Sequence, residues 1–299
     1  MYQNDLLLRS MMFVPGHNEK LLISASKSQA DALILDIEDS VPANNKAVAR
    51  NTIGANLSHF KNFSIFIRIN DIESGHCIKD VTALTLPLVT GFVYPKATTG
   101  KDIYFFSRLL EALEYEKGFP IGTFKIVPLI ETASAVLNAQ EICLTSNRVI
   151  AIAYGCEDFI ADLHGETCSR SLYTPRALIA LAARATGVIP IDTVHTNIHD
   201  LVELESNARL ARVLGFEGML ILHPKEIEVA HKCFTPTESE IAEAKEILHL
   251  SDEAVKSGKG VAILDGKFIG PPMVLQAKNV LDMERKVNAR VKETTDNRR

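Results

Sequence analysis

Eight short apolar runs recur along the chain, and no other feature constrains its fold so tightly. They are Ser10–Val14, Ala32–Ile37, Ser64–Ile69, Gly91–Tyr94, Phe124–Ile130, Val149–Tyr154, Val188–Thr193 and Gly218–Leu222. Several are continuous rather than alternating, which predicts strands covered on both faces. Helical periodicity separates nearly all of them: Asn18–Gln29, Asn44–Leu57, a weaker stretch at Ile78–Leu86, Lys101–Glu116, Ala133–Leu144, Pro175–Thr186 and His199–Leu214. Pro175 is placed in the first turn of its helix, where a missing N–H costs nothing. Gly187 and Gly215 are placed as helix stops. Strand and helix in regular alternation predict an α/β fold of the (β/α)8 barrel type. A doubly wound sheet needs a glycine-rich turn after the first strand, and Val14-Pro-Gly-His17 offers only Gly16 there.

The barrel is expected to occupy residues 1–234, with a C-terminal helical extension and lid-like excursion over 235–299. Thr235-Pro-Thr-Glu238 has the form of a capping box opening a long helix. After it, Val261–Pro272 reads as a hairpin-like excursion and Met273–Val291 as a last helix, followed by a polar, frayed tail. A stretch this short cannot form a second large core.

At 46% hydrophobic residues the chain can bury a sizeable core, and its net charge of −5 comes from interspersed charges. That balance argues against a nucleic-acid groove or a polybasic membrane patch. The N-terminal apolar run is too short for a signal peptide, and none approaches membrane-spanning length. The five cysteines lack C-x-x-C spacing and read as reduced thiols. A cytoplasmic protein is therefore expected.

Two runs stop abruptly on acids: Val127-Pro-Leu-Ile-Glu-Thr132 and Ile150–Phe159. As successive strands they should present Glu131 and Asp158 side by side, a pair suited to Mg2+, which takes one or two carboxylates plus water and substrate oxygens. The alternative is that Asp158 merely begins the next helix. In a barrel the active site lies at the C-terminal strand ends. There stand His17, then Asp36, Glu38 and Asp39, then Arg68 and Asn70, then Lys96, Glu131, Glu157 and Asp158, Asp192 and His195, and His223. One such residue alone is usually a cap or an ion pair, but eight polar strand ends together call for a polar cavity. Arg68 offers a planar fork for a substrate carboxylate. Asp36, Glu38 and Asp39 are placed behind it, orienting Arg68, a lysine or metal-bound water, with Lys96 in the same network. His223 is open to ligand contact or to a structural role before Pro224. Cys156 lies beside the acidic pair and reads as a packing residue.

These segments taken in order resemble a known family. Phe13-Val-Pro-Gly16, Leu35-Asp-Ile-Glu-Asp-Ser-Val41, Arg68-Ile-Asn70, Tyr94-Pro-Lys96, Leu129-Ile-Glu-Thr132, Gly155-Cys-Glu-Asp-Phe159, Ala177–Gly187, Ile191-Asp192, Leu214-Gly-Phe-Glu-Gly218 and His223-Pro224 are similar to motifs of the citrate lyase β-subunit-like family of the HpcH/HpaI aldolase superfamily. The match runs from Arg9 to Ala277. The resemblance implies a TIM barrel assembling as a homotrimer or hexamer. It implies Mg2+ on Glu131 and Asp158, with Glu131 and Arg68 at the 2-oxo acid. CoA-thioester contacts are implied near Phe13, Lys20, Leu222 and His223. The implied reaction is reversible cleavage of a malyl-, citramalyl- or citryl-CoA-like 3-hydroxyacyl-CoA to acetyl-CoA and a 2-oxo acid. Many relatives carry an acid/base Asp in the excursion, in a Gly-Lys-Met-Val-Asp stretch. The matching position here is Gly270, and Asp265, five residues earlier, does not take the role. That departure keeps two other readings open: an aldolase on a free hydroxy acid, and a non-catalytic ligand-binding homologue.

Overall fold

The computed structural model describes residues 6–257, 262–264 and 267–296. By internal contacts the chain divides into two units, Leu8–Phe234 and a smaller one from Thr235 onward.

In the first unit eight parallel strands close on themselves: β1 Ser10–Pro15, β2 Ala32–Asp36, β3 Ser64–Arg68, β4 Gly91–Tyr94, β5 Lys125–Ile130, β6 Ala151–Tyr154, β7 Ile189–Asp192 and β8 Gly218–Ile221. Each pairs with its sequence neighbours, and β8 returns to pair with β1. The helices between them are α1 Glu19–Ala25, α2 Lys46–Asn56, α3 Cys77–Leu84, α4 Gly100–Lys117, α5 Ala133–Leu137, α6 Ala139–Leu144, α7 Cys156–Leu163, α8 Ser169–Thr186 and α9 Leu201–Leu214, and α10 Ile227–Phe234 follows β8. This is a TIM barrel, and its strands are apolar throughout because the barrel interior and the helix layer bury both faces.

Alternation along each strand assigns side chains to one face or the other. Leu33 and Leu35, Ile65 and Ile67, Phe92 and Tyr94, and Ile126 and Ile130 join one apolar cluster with Leu22, Ile53, Leu110 and Ile142 of the helices. The residues that alternate with them point into the barrel. Register then sets neighbours within the barrel: Asp36 lies opposite Arg68, and Arg68 opposite Val93.

Several local expectations are corrected. Helix α8 begins at Ser169, so Pro175 lies inside it and not in its first turn. There it forgoes the helical bond to the carbonyl of Ser171. The helix expected over 133–144 breaks at Asn138, whose backbone leaves helical geometry and whose side chain donates to the Thr98 carbonyl at 3.0 Å. Helix α7 makes Asp158 a first-turn residue rather than a strand end, the alternative weighed for it from sequence. Gly187 and Gly215 do end their helices, with φ of 75° and 102°.

The second unit contains α11 Glu238–Lys256, an antiparallel pair β9 Ala262–Leu264 and β10 Lys267–Ile269, and α12 Pro271–Asp296. The capping box of α11 uses Thr237 and Glu240, two residues beyond the expected Thr235 and Glu238. Helix α12 runs through much of the tail that was expected to fray. Ala244, Ile247, Ile269 and Ala277 form its small core. Asp265 lies outside the described residues. Among the described residues, no helix is long and apolar enough to cross a membrane.

Candidate active site

A cavity of about 440 Å³ opens at the C-terminal end of the barrel, where TIM-barrel chemistry is found. It is lined by the inward-facing residues Phe13, Asp36, Arg68, Leu129, Glu131, Thr193 and Leu220, and by Asp39, Ser40, Gly155, Cys156, Glu157, Asp158, Val194, Thr196 and Leu222 from the loops. The two segments that end on acids thus bring Glu131 and Asp158 to one cavity wall, Glu131 from the end of β5 and Asp158 from the first turn of α7.

The Arg68 fork is not open as expected. Its Nε donates to Asp36 Oδ1 at 2.7 Å and its Nη2 to Asp36 Oδ2 at 2.8 Å, so the register-matched carboxylate occupies that edge. Nη1 lies 3.2 Å from both Glu38 and Asp39. The guanidinium also sits 4.6 Å above the Phe13 ring, a cation–π contact that fixes its plane. Burial opposes the charges, but the Arg68–Asp36 bonds outweigh it and hold Asp36 below the usual carboxylate range and Arg68 above its own.

Asp36 also accepts from the backbone N–H groups of Glu38 at 2.9 Å and Ser40 at 3.1 Å. Buried Lys46 donates to the carbonyls of Ile37 and Glu38, both at 2.8 Å. The loop after β2 is therefore fixed from both sides. Glu38 is pushed up to about 7, first by burial and then by the neighbouring carboxylates of Asp39 and Asp36. Lys96 Nζ lies 3.5 Å from Glu38 and 3.4 Å from Asp71.

Glu131 is held differently. The backbone of Lys96 adopts φ 52°, a left-handed conformation that a side chain resists, and its N–H donates to Glu131 Oε2 at 2.9 Å. On the other side Gly155 lies so close that a Cβ there would stand 2.4 Å from Glu131 Cγ and 2.8 Å from Oε1. Burial raises Glu131 to about 8, with Glu38 and Asp158 adding to the effect. A buried carboxyl ringed by other carboxylates has two ways to relieve its charge, a proton or a cation. Glu131 and Asp158 are the pair that could hold a metal here. Among the described residues, no three His, Cys, Asp or Glu side chains converge on one point by themselves.

Other predicted residues lie elsewhere. Lys20 is exposed on α1 and does not line the cavity. His223 caps the short helix Pro224–Glu226, its Nδ1 accepting from Lys225 N at 3.2 Å. Asp192 points to the helix layer, where Arg176 grips it with two bonds of 2.9 Å. His195 is buried but off the cavity lining. Cys156 does line the cavity, yet burial raises its thiol to about 12, which leaves it a neutral packing group. Lys46, Gly155, Thr193, Thr196 and Leu220 were not singled out from sequence. Of these, only Gly155 had a visible signal, as the residue that turns the chain between the sixth apolar run and its acids.

The family model described as HpcH/HpaI aldolase/citrate lyase matches residues 9–224. The citrate lyase subunit β of Leuconostoc mesenteroides subsp. cremoris is 33% identical over 284 residues, 94% of each chain. An L-malyl-CoA/β-methylmalyl-CoA lyase of Cereibacter sphaeroides is 28% identical over 94% of this chain and 96% of its own. Among solved structures, a citrate lyase from Burkholderia xenovorans superposes with a TM-score of 0.83 at 21% identity, covering 94% of this chain and 93% of that one, a likeness of fold. The protein CitE from Mycobacterium tuberculosis, in complex with magnesium and pyruvate, is 26% identical with a TM-score of 0.60, over 77% of this chain and 93% of that one. The chain therefore belongs to the HpcH/HpaI aldolase/citrate lyase family of lyases.

Proposed function

We propose that this lyase breaks, and in reverse forms, the carbon–carbon bond of a 3-hydroxyacyl-CoA, giving acetyl-CoA and a 2-oxo acid with the help of Mg2+. The observation that carries the reading is one cavity wall holding two carboxylates, Glu131 and Asp158, within a site that also presents the Arg68 guanidinium. The donor set fits Mg2+: hard oxygens, two carboxylates, and positions left for water and substrate. The raised Glu131 carboxyl fits it too, because a cation relieves the charge that burial opposes. Bound by Glu131 and Asp158, Mg2+ would supply Lewis-acid stabilisation of negative charge on the substrate oxygen.

The chain's own residues do the rest. The inner edge of Arg68 is locked on Asp36, and its outer edge still presents Nη1 and the second Nη2 hydrogen to a substrate carboxylate. Taking that position displaces Asp39, the most exposed of its partners. Lys96 N–H and Gly155 hold Glu131 in one orientation. Phe13, Leu129 and Leu220 exclude water around the reacting carbons. In the cleavage direction the hydroxyl proton leaves, the carbon–carbon bond breaks, and the electron pair departs with the thioester carbon to become the acetyl methyl after protonation. Gly270 has no group to accept that proton, so on this reading water or another group takes it, or the substrate and reaction differ from those of the relatives. Phe13 and Leu222 remain the CoA-side contacts of this reading, together with Lys20 and His223 at the periphery. The homotrimer or hexamer is part of the same proposal, to be checked by light scattering.

Glu131→Gln and Asp158→Asn are each expected to abolish Mg2+-dependent cleavage across a panel of malyl-, citramalyl- and citryl-CoA. Unchanged turnover in either variant refutes the assignment. Calorimetric titration with acetyl-CoA separates this reading from an aldolase on free hydroxy acids, which would bind no CoA ester.

A further inference from the structure

Two demands meet at Gly155. It precedes Cys156, the first residue of α7, and so holds the position whose side chain ordinarily accepts from the first N–H groups of a helix. Glu131 denies it a side chain, since a Cβ there would stand 2.4 Å from Glu131 Cγ. Helix α7 accordingly has no side-chain cap of its own. Its Cys156 N–H is buried, and a buried N–H without an acceptor is costly. The acceptor comes from the next strand. Thr193, just beyond the end of β7, takes that N–H on its Oγ1 at 3.2 Å, across 37 positions of sequence.

Thr193 is itself held in place. It is buried and lines the cavity. The residue before it, Asp192, is clamped on the other face of the strand by Arg176 of α8, through two bonds of 2.9 Å. Strand parity thus sends Asp192 to the helix layer and Thr193 to α7. The backbone of Gly155 supplies a second anchor, its N–H donating to the Ile130 carbonyl at 3.0 Å, beside Glu131. The start of α7 is therefore tied to β5 on one side and to β7 on the other, and Asp158 stands in the first turn of the helix so tied.

We propose that Thr193 is a positioning residue for the metal site: its hydroxyl caps α7 from the neighbouring strand and so sets where Asp158 stands relative to Glu131. The inference rests on the metal site of the lyase reading above and adds a residue that acts on it through the backbone of Cys156. The hydroxyl is the acting group, not the bulk of the side chain. Valine has nearly the same shape but leaves the Cys156 N–H buried and unpaired, whereas serine keeps the acceptor.

The test compares full-length wild type, Thr193→Val and Thr193→Ser. Mg2+ binding is measured by calorimetry, and amide hydrogen exchange is followed by mass spectrometry without metal. Thr193→Val is expected to bind Mg2+ about tenfold or more weakly. Its exchange over Cys156–Leu163 should rise about tenfold while β1 to β4 keep wild-type protection. Thr193→Ser should restore both readouts to within about threefold of wild type. Wild-type Mg2+ affinity in Thr193→Val overturns the inference, even if exchange in α7 rises, because the cap would then not govern the site. An equal loss in the serine variant also overturns it, since side-chain bulk rather than the hydroxyl would be acting. So does faster exchange spread over the whole barrel, which marks a general loss of stability. A wild type that binds no Mg2+ defeats the metal site of the lyase reading and this inference with it, an outcome distinct from Mg2+ binding that Thr193→Val leaves unchanged.

Discussion

Gly155→Ala tests the core of the site with a single methyl group. A Cβ at this position would stand 2.4 Å from Glu131 Cγ and 2.8 Å from Oε1, whereas ordinary contact begins near 3.4 Å. Glu131 must retreat by about 1 Å, a displacement that in a catalytic site can cost about a hundredfold. It has little room to do so, being 3% exposed and tethered to Lys96 N–H at 2.9 Å. Overpacking of this kind costs about 1–3 kcal/mol, and losing a hydrogen bond about 0.5–1.5 kcal/mol. Both penalties fall on one side chain and so do not add fully; a total of about 2–4 kcal/mol is expected. The assay is urea denaturation without metal, Mg2+ titration by calorimetry, and kcat/KM on whichever CoA ester the wild type turns over. The expected outcome is a lower denaturation midpoint, weaker Mg2+ binding and about a hundredfold loss in kcat/KM with the barrel's circular dichroism retained. A variant that matches the wild type in both Mg2+ affinity and kcat/KM would refute the claim that Gly155 and Glu131 are fitted to each other for function.

Two further predictions concern the scaffold. Arg148 grips Glu114 through two bonds of 2.6 Å with both side chains buried, so Arg148→Met should destabilise the barrel by about 3–5 kcal/mol in urea. Burial pushes Glu114 up, but Arg148 and the N–H groups of Phe124 and Gly122 outweigh it and hold the carboxyl below its ordinary 4.5. That stabilisation is present above the unfolded value and lost as pH falls through the folded one. The wild type should therefore lose stability below about pH 4.5 more steeply than the variant, and parallel pH profiles would contradict the pairing. Gly270 needs no glycine on steric grounds, since a Cβ would meet Pro272 Cδ at an ordinary 3.6 Å. Gly270→Asp, just before α12, should fold with a melting temperature equal to or slightly above the wild type, because Asp is a favourable capping residue there. A marked fall in melting temperature would show that the position is constrained in some other way.

The barrel was legible because its evidence is local. Continuous apolar runs such as Ala32–Ile37 and Phe124–Ile130 can only be strands buried on both faces, and eight of them separated by helices leave few topologies. Helix edges were less legible. Thr235-Pro-Thr-Glu238 carries one capping pattern and Thr237–Glu240 another, and the structure uses the second. Pro175 looked like a helix start, yet the helix begins earlier and absorbs it, since packing of an amphipathic face can outweigh one lost hydrogen bond.

The site divides in the same way. Glu131, Asp158, Arg68 and the acids after β2 could be named from sequence, because strand ends in a barrel converge on one face. Their relations could not. Which residues face inward depends on strand parity, so Asp192 turns outward to Arg176 while Thr193, its neighbour, lines the cavity. The Arg68 fork looked free until register set Asp36 beside it, 32 positions away in sequence.

By itself, the sequence determined the strands, their alternation with helices and the set of charged residues at the strand ends, because hydrophobic periodicity and strand termini act within a few residues. Only the tertiary structure decided that Asp36 occupies Arg68, that Lys96 turns its N–H to Glu131 at a φ of 52°, and that Gly155 leaves room for that carboxyl. Those outcomes depend on closure and register among strands distant in sequence, and on the burial that follows, which no local pattern encodes.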